Sequence, residues 1–165
     1  MMKPIVTALC LLASLNAAAV TVKPADLHGK WLCGVSYDDI SLGTIDATEF
    51  NADGTFTSQG IAETPIEKPV LRYHSQARGH WALKAGHLIM TLDENQVQRA
   101  FSAEAKAMLA DNPQAQKIEQ ALFEALSSDD EQGNEIDFRL LDFSPEKFNY
   151  EQRIGEHKFY GGCKR

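Results

Sequence analysis

The sequence has no basic stripe. Across 165 residues, 16 Lys and Arg stand against 23 Asp and Glu, a formal charge of −7. Proteins that grip nucleic acid or an anionic membrane surface cluster Lys and Arg to displace counterions, so both are poor partners for this chain. Cysteine is scarce as well: there are three, with no set of four ligands at the spacing of a zinc site. A Gly-x-Ser-x-Gly elbow for a nucleophilic serine is missing, as is a glycine loop shaped to hold phosphate. What is present is an ordinary core, with 44% apolar and 24% charged residues, which excludes disorder and collagen. The length suits one domain and excludes a large multidomain enzyme.

The N-terminal residues form a unit of their own. Lys3 precedes an apolar run from Ile5 to Leu15, followed by Asn16-Ala17-Ala18-Ala19. The run falls short of the roughly 20 residues that span a bilayer, and Ala17 and Ala19 supply a small-x-small cleavage pattern. Residues 1–19 therefore read as a secretory signal peptide cut after Ala19, the alternative being an uncleaved anchor. Cys10 lies inside the apolar run, and Thr7-Ala8-Leu9 before it lacks the small residue of a lipobox. Removing residues 1–19 leaves 146 residues, 20–165, with 15 basic and 23 acidic side chains. A periplasmic or secreted location follows, with no membrane span after cleavage.

Two cysteines remain, Cys33 near the new N-terminus and Cys163 two residues from the end. In an oxidising compartment they read as a disulfide that closes the chain; two free thiols or a metal pair are the alternatives.

The chain from 20 onward carries many short strand signals. GKWLCGVSY, from Gly29, alternates with Trp31, Cys33, Val35 and Tyr37 on one face. ATEFNADGTFTSQG reads as a hairpin with the loop Ala52-Asp53-Gly54, which sets Phe50 opposite Phe56. GHWALKAGHLIMTL reads as a second hairpin; a three-residue loop Lys84-Ala85-Gly86 pairs Leu83 with His87 and Trp81 with Ile89. Between the hairpins, Pro65 and Pro69 disfavour helix, and VLRYHSQ reads as a separate strand. Another begins at Gln96.

From Ser102 to Ser128 the composition turns to good helix formers, with Asp111-Asn112-Pro113 in the middle. Two helices follow: Asn112 caps the second, Pro113 opens it, and Ile118, Ala121, Leu122, Ala125 and Leu126 form its apolar stripe. The last part returns to a meander, EIDFRLLDF, KFNYEQR and HKFYGGCKR. Its first turn sets Phe143 near Phe148 and Leu141 near Tyr150, and Gly161-Gly162 marks a bulge. The fold class is mainly β: an antiparallel closed or nearly closed barrel of eight to ten strands with an inserted helical pair at 102–128. A Cys33–Cys163 bond makes the first and last strands neighbours, which favours closure.

Leu27-His28-Gly29-Lys30-Trp31 at the head of the first strand resembles the Gly-x-Trp start of lipocalin-like (calycin) barrels. The Phe-x-x-Asp-Gly-Thr-Phe hairpin, Gly79-His80-Trp81 and the closing Cys-Lys-Arg are similar to small secreted bacterial members. In lipocalins proper one helix follows the last strand, and in fatty-acid-binding proteins the helices follow the first. Here the pair precedes the final meander. The resemblance implies a closed barrel with an interior ligand site.

A search for chemistry returns little. His28, His74, His80, His87 and His157 include no pair at i and i+2, the spacing strand ligands favour. The segment from Glu49 resembles a calcium loop only loosely, since its first position is Glu and its twelfth is Gly60. Asp38 and Asp39 point to opposite faces if extended. No metal, no cofactor, no catalytic residue and no enzyme activity are expected. Two functions remain. One is a carrier for a small hydrophobic ligand, its interior lined by Trp31, Phe50, Phe56, Trp81, Phe138 and Tyr150 unless these aromatics fill it entirely. The other is a protein-binding barrel, such as an inhibitor of a lysozyme or protease, whose acidic loops Asp38 to Asp46 or Asp129 to Glu135 suit a basic protein partner.

Overall fold

The computed structural model describes residues 22–65, 70–128 and 135–165. The expected signal peptide and residues 129–134 of the acidic loop lie outside these. The described residues form α1 (Pro24–Leu27), β1 (Gly29–Tyr37), a 3-10 turn (Asp38–Ile40), β2 (Leu42–Phe50), β3 (Thr55–Thr64), β4 (Leu71–Lys84) and β5 (His87–Arg99). The helices α2 (Ala103–Ala110) and α3 (Pro113–Ser127) follow, then β6 (Glu135–Ser144), β7 (Lys147–Ile154) and β8 (His157–Lys164). Each strand pairs with the next and β8 returns to β1, giving a closed antiparallel barrel of eight strands.

The strand number falls at the low end of the expected eight to ten because β4 and β5 are long. The segments VLRYHSQ and GHWALK are one strand of 14 residues that bends at a register shift between Arg78 and Gly79. Gly79 makes the bend possible, since a Cβ there would overlap the Thr91 carbonyl. A glycine that reads as a break is a bulge inside a continuous strand. Its partner β5 runs on to Arg99 without the expected interruption.

Hairpin registers divide by turn type. At β2–β3 the Ala52-Asp53-Gly54 loop, with Gly54 at φ 83°, sets Phe50 against Phe56 as expected. At β4–β5 the loop has two residues, not three. Ala85 and Gly86 both take positive φ, 50° and 81°, the mirror-image turn whose twist matches that of the strands. Leu83 therefore faces Leu88 and Trp81 faces Met90, one residue from the expected pairing. At β6–β7 Phe143 meets Phe148, but a register shift after Leu140 puts that residue, not Leu141, opposite Tyr150. Gly161 and Gly162 form no bulge: β8 keeps continuous register with both β7 and β1. Gly161 instead makes room, because a Cβ there would stand 2.5 Å from the Tyr150 ring.

Two apolar clusters occupy opposite ends of the barrel. One gathers Leu27, Trp31, Phe50, Phe56, Trp81, Leu88, Met90, Leu140, Phe148 and Tyr150 beside α1. The other sets Leu42, Ala62 and Tyr73 against Phe101, Leu122, Phe123 and Leu126 beneath α3. Cys33 and Cys163 are register partners on β1 and β8 and are joined by a disulfide, so the seam of the barrel is covalent.

The second helix starts as expected, and the first is capped as well. Ser102 Oγ accepts from Ala105 N at 3.1 Å, and Asn112 Oδ1 from Ala115 N at 3.0 Å, ahead of Pro113. The buried face of α3 differs from the expected stripe. Leu122 and Leu126 face the barrel together with Phe123 and Glu119; Ile118 is 61% exposed and Ala121 lies toward solvent, while Ala125, though exposed, borders the cavity. The reason is electrostatic. Arg99 Nε donates to Glu119 Oε1 at 2.8 Å and Tyr73 Oη donates to the same oxygen at 3.1 Å, so a paired carboxylate takes a place an apolar pattern would leave out.

A candidate ligand cavity inside the barrel

A cavity of about 620 Å³ lies between the two clusters, walled by all eight strands and by Leu122, Ala125 and Leu126 of α3. The interior is not filled by its aromatics. Among the residues expected to line it, Phe50, Phe56, Phe138 and Tyr150 do so, and the Cys33–Cys163 bridge forms part of the wall. Trp31 and Trp81 sit outside the lining and close one end. Trp31 Nε1 donates to the Leu27 carbonyl at 2.8 Å and its ring packs edge-on against Phe148 at 4.8 Å. Trp81 Nε1 donates to the Asn51 carbonyl at 3.1 Å, with its ring against Phe50 at 5.4 Å. Both indoles are too large to leave an N–H unsatisfied in a core, and a backbone carbonyl at the end of the barrel serves each.

At the opposite end α3 covers part of the cavity, which opens to solvent past the exposed Ile40, Arg153 and Ile154. Arg99 stacks 3.6 Å above the Phe123 ring while it pairs with Glu119, and Asn95 Nδ2 donates to the Leu126 carbonyl at 2.9 Å. Tyr73 holds its proton well above the ordinary phenol range, first because it is buried and then because Glu119 is close. It therefore remains a donor to that carboxylate.

A polar belt crosses the cavity wall at mid-height, and sequence reasoning missed it. Thr44, Asp46 and Thr48 alternate along β2 on the same face as Phe50, joined by Ser58 on β3 and Ser75 on β4. The signal was present: counting back in twos from Phe50 gives Thr48, Asp46 and Thr44. Asp46 was expected in an acidic loop, but the loop closes at the 3-10 turn Asp38–Ile40 and β2 begins at Leu42. The Asp46 carboxyl titrates above the usual carboxylate range because it is buried, an effect partly offset by a hydrogen bond from Thr44. Tyr37, which donates to Gln152 Oε1 at 2.8 Å, is pushed up to about 12 by burial and then by the Asp46 charge. Tyr150 is raised by burial, with Tyr37 and Asp46 adding to it. At neutral pH both phenols keep their protons and can donate.

The histidines do not converge. His80, His87 and His157 each pair with an aspartate on the outer surface, Asp93, Asp137 and Asp39, at 2.9, 2.7 and 2.6 Å. His74 is exposed and His28 packs edge-on against Trp81. Among the described residues no three His, Cys, Asp or Glu side chains are grouped to hold a metal ion, and no helix is long and apolar enough to cross a membrane. No protein-family model matches the chain, and none of the curated proteins compared with it matches either.

Proposed function

We propose that this protein is an exported, lipocalin-like carrier that holds a small hydrophobic molecule inside its barrel. The observation that carries this reading is the cavity of about 620 Å³ at the centre of a closed barrel. That volume falls in the range of roughly 300 to 1,000 Å³ typical of small-molecule sites, and its floor is aromatic. One end is shut by Trp31 and Trp81, and the other is partly covered by a helix held in part through polar contacts. Such a roof can open without unfolding the barrel. Export is supported by the leader-like residues 1–19 and by the Cys33–Cys163 bridge.

The inhibitor reading called for a filled interior and a protruding acidic loop. The empty volume and the inward placement of Asp46 favour the carrier. N-phenyl-1-naphthylamine, a neutral apolar probe, tests it. Titrated into protein purified from a periplasmic fraction, it is expected to bind saturably with enhanced fluorescence, and native mass spectrometry is expected to show one probe per chain. Absence of saturable binding, together with absence of any co-purifying small molecule, overturns the reading.

A further inference from the structure

Among the described residues, Asp46 is a carboxylate without a cation. Carried by β2 at mid-height, it lies over Gly60 of β3, where a methyl group would overlap it and would meet the Ser75 hydroxyl at 2.7 Å. The absent side chain at Gly60 is thus the space the carboxylate occupies. Among the described residues no Lys, Arg or His forms an ion pair with Asp46. Among the described residues Arg153 is the one basic residue on the cavity wall, and it is 63% exposed and turned to Glu151. Nearby interior groups are uncharged: the Tyr37 and Tyr150 phenols, and the hydroxyls of Thr44, Thr48, Ser58 and Ser75. Removing an anion from water without a counter-charge is unfavourable, and a ligand that carries the counter-charge relieves it.

We propose that the ligand is an amphipathic amine, its ammonium group paired with Asp46 and its apolar body resting on Phe50, Phe56, Phe138 and Tyr150. The inference rests on the carrier reading and narrows it. A fatty-acid anion would meet Asp46 as a like charge with no buried cation to receive it, and a neutral alcohol would gain a hydrogen bond without the charge. The acidic surface of the chain adds a weak, general attraction for cations.

Chain-matched competitors separate these classes. Decylamine, decanol and decanoate, each below its micelle concentration, are titrated at pH 8 against bound N-phenyl-1-naphthylamine in the wild-type protein and in Asp46→Asn. In the wild type, decylamine is expected to displace the probe at a concentration about ten-fold or more below that of decanol, with decanoate weakest. In Asp46→Asn the amine's advantage over the alcohol is expected to disappear, read as the ratio of the two displacing concentrations within that variant. Equal displacement by amine and alcohol in the wild type overturns the inference without any variant, as does a preference that survives in Asp46→Asn. Failure of the probe to bind the wild type overturns the carrier reading and the inference together, whereas probe binding without amine preference overturns the inference alone.

Discussion

The guanidinium of Arg165 lies 4.1 Å from the centre of the Trp31 ring and donates to the carbonyls of Asp26 and His28 at 3.0 and 2.7 Å. One side chain thereby ties the residue after β8 to the segment that leads into β1, beside the sealed end of the barrel. One guanidinium nitrogen, Nη2, donates to both carbonyls while the flat group stacks on the indole; a lysine ammonium could donate to the carbonyls but has no plane to stack. Arg165→Ala is expected to cost about 1–2 kcal/mol in urea unfolding. Arg165→Lys should recover only part of this, and the Trp31 fluorescence should change in both variants.

The disulfide spans a sequence separation of 130 residues. Cross-linking so long a loop restricts the unfolded chain strongly. Replacing both Cys33 and Cys163 by serine is expected to lower stability by about 2–5 kcal/mol. Denaturant melts of the oxidised protein, the reduced protein and the double variant measure it; identical midpoints for all three would refute the expectation.

The roof hinges on Glu119. Its carboxylate, 8% exposed, holds Arg99 and Tyr73, and Arg99 in turn covers Phe123. Glu119→Ala leaves the Tyr73 hydroxyl without its acceptor and the Arg99 charge with only the neutral Gln120 Oε1, at 2.8 Å. Because Arg99 is 34% exposed and water can reach it, the cost is expected to be about 1–3 kcal/mol rather than that of a fully buried pair. Amide hydrogen exchange should accelerate in α3 and much less in β1–β3; uniform acceleration would show that the helix does not open separately.

Acid should act through Glu151. On the outer face of β7, it is covered by its own cations, Arg153 at 2.9 Å, Arg139 at 3.1 Å and Lys158 at 3.6 Å. The hydrogen bonds from Arg153 and Arg139 lower its carboxyl from 4.5 to about 2. A carboxyl depressed in the folded state stabilises the fold above its unfolded value and loses that contribution as pH falls through the folded one. The melting temperature is therefore expected to drop between about pH 4.5 and pH 2. Glu151→Gln should flatten that part of the curve and lower stability at neutral pH.

Asp46 has the opposite sign. Burial raises its carboxyl, so the folded state binds the proton more tightly than the unfolded chain and the ionised form opposes folding at neutral pH. Asp46→Asn is expected to melt at a higher temperature than the wild type at pH 8, with the gap narrowing as the pH falls. A lower melting temperature at pH 8 would mean that the carboxylate stabilises the fold without a ligand.

Much of the barrel is legible because strands declare themselves locally. Alternation fixes which face of β1 turns inward, and Gly54 fixes the Phe50–Phe56 register, both within a few residues of chain. The candidate site is legible only in part for the same reason. Phe50, Phe56, Phe138 and Tyr150 announce themselves by being aromatic on an inward face, whereas Asp46 carries a charge and suggests a loop. The reading failed where one residue shifts the count. The two-residue turn at Ala85-Gly86 and the extra residue at Leu141 each displace a register by one, and composition does not signal either.

From the chain alone came most of the strands, the helical pair with its Asn112 cap, and the partnership of Cys33 with Cys163. These follow from periodicity, capping and cysteine placement, which act over short stretches or at singular residues. Tertiary structure decided the rest: that Trp31 and Trp81 seal an end, that Glu119 is buried by Arg99 and Tyr73, and that space remains at the centre. Each depends on side chains from distant strands meeting at one height of a closed barrel, and on a glycine, Gly60, whose missing atoms leave room for Asp46. Local patterns cannot encode that space, because volume inside a barrel belongs to all eight strands at once.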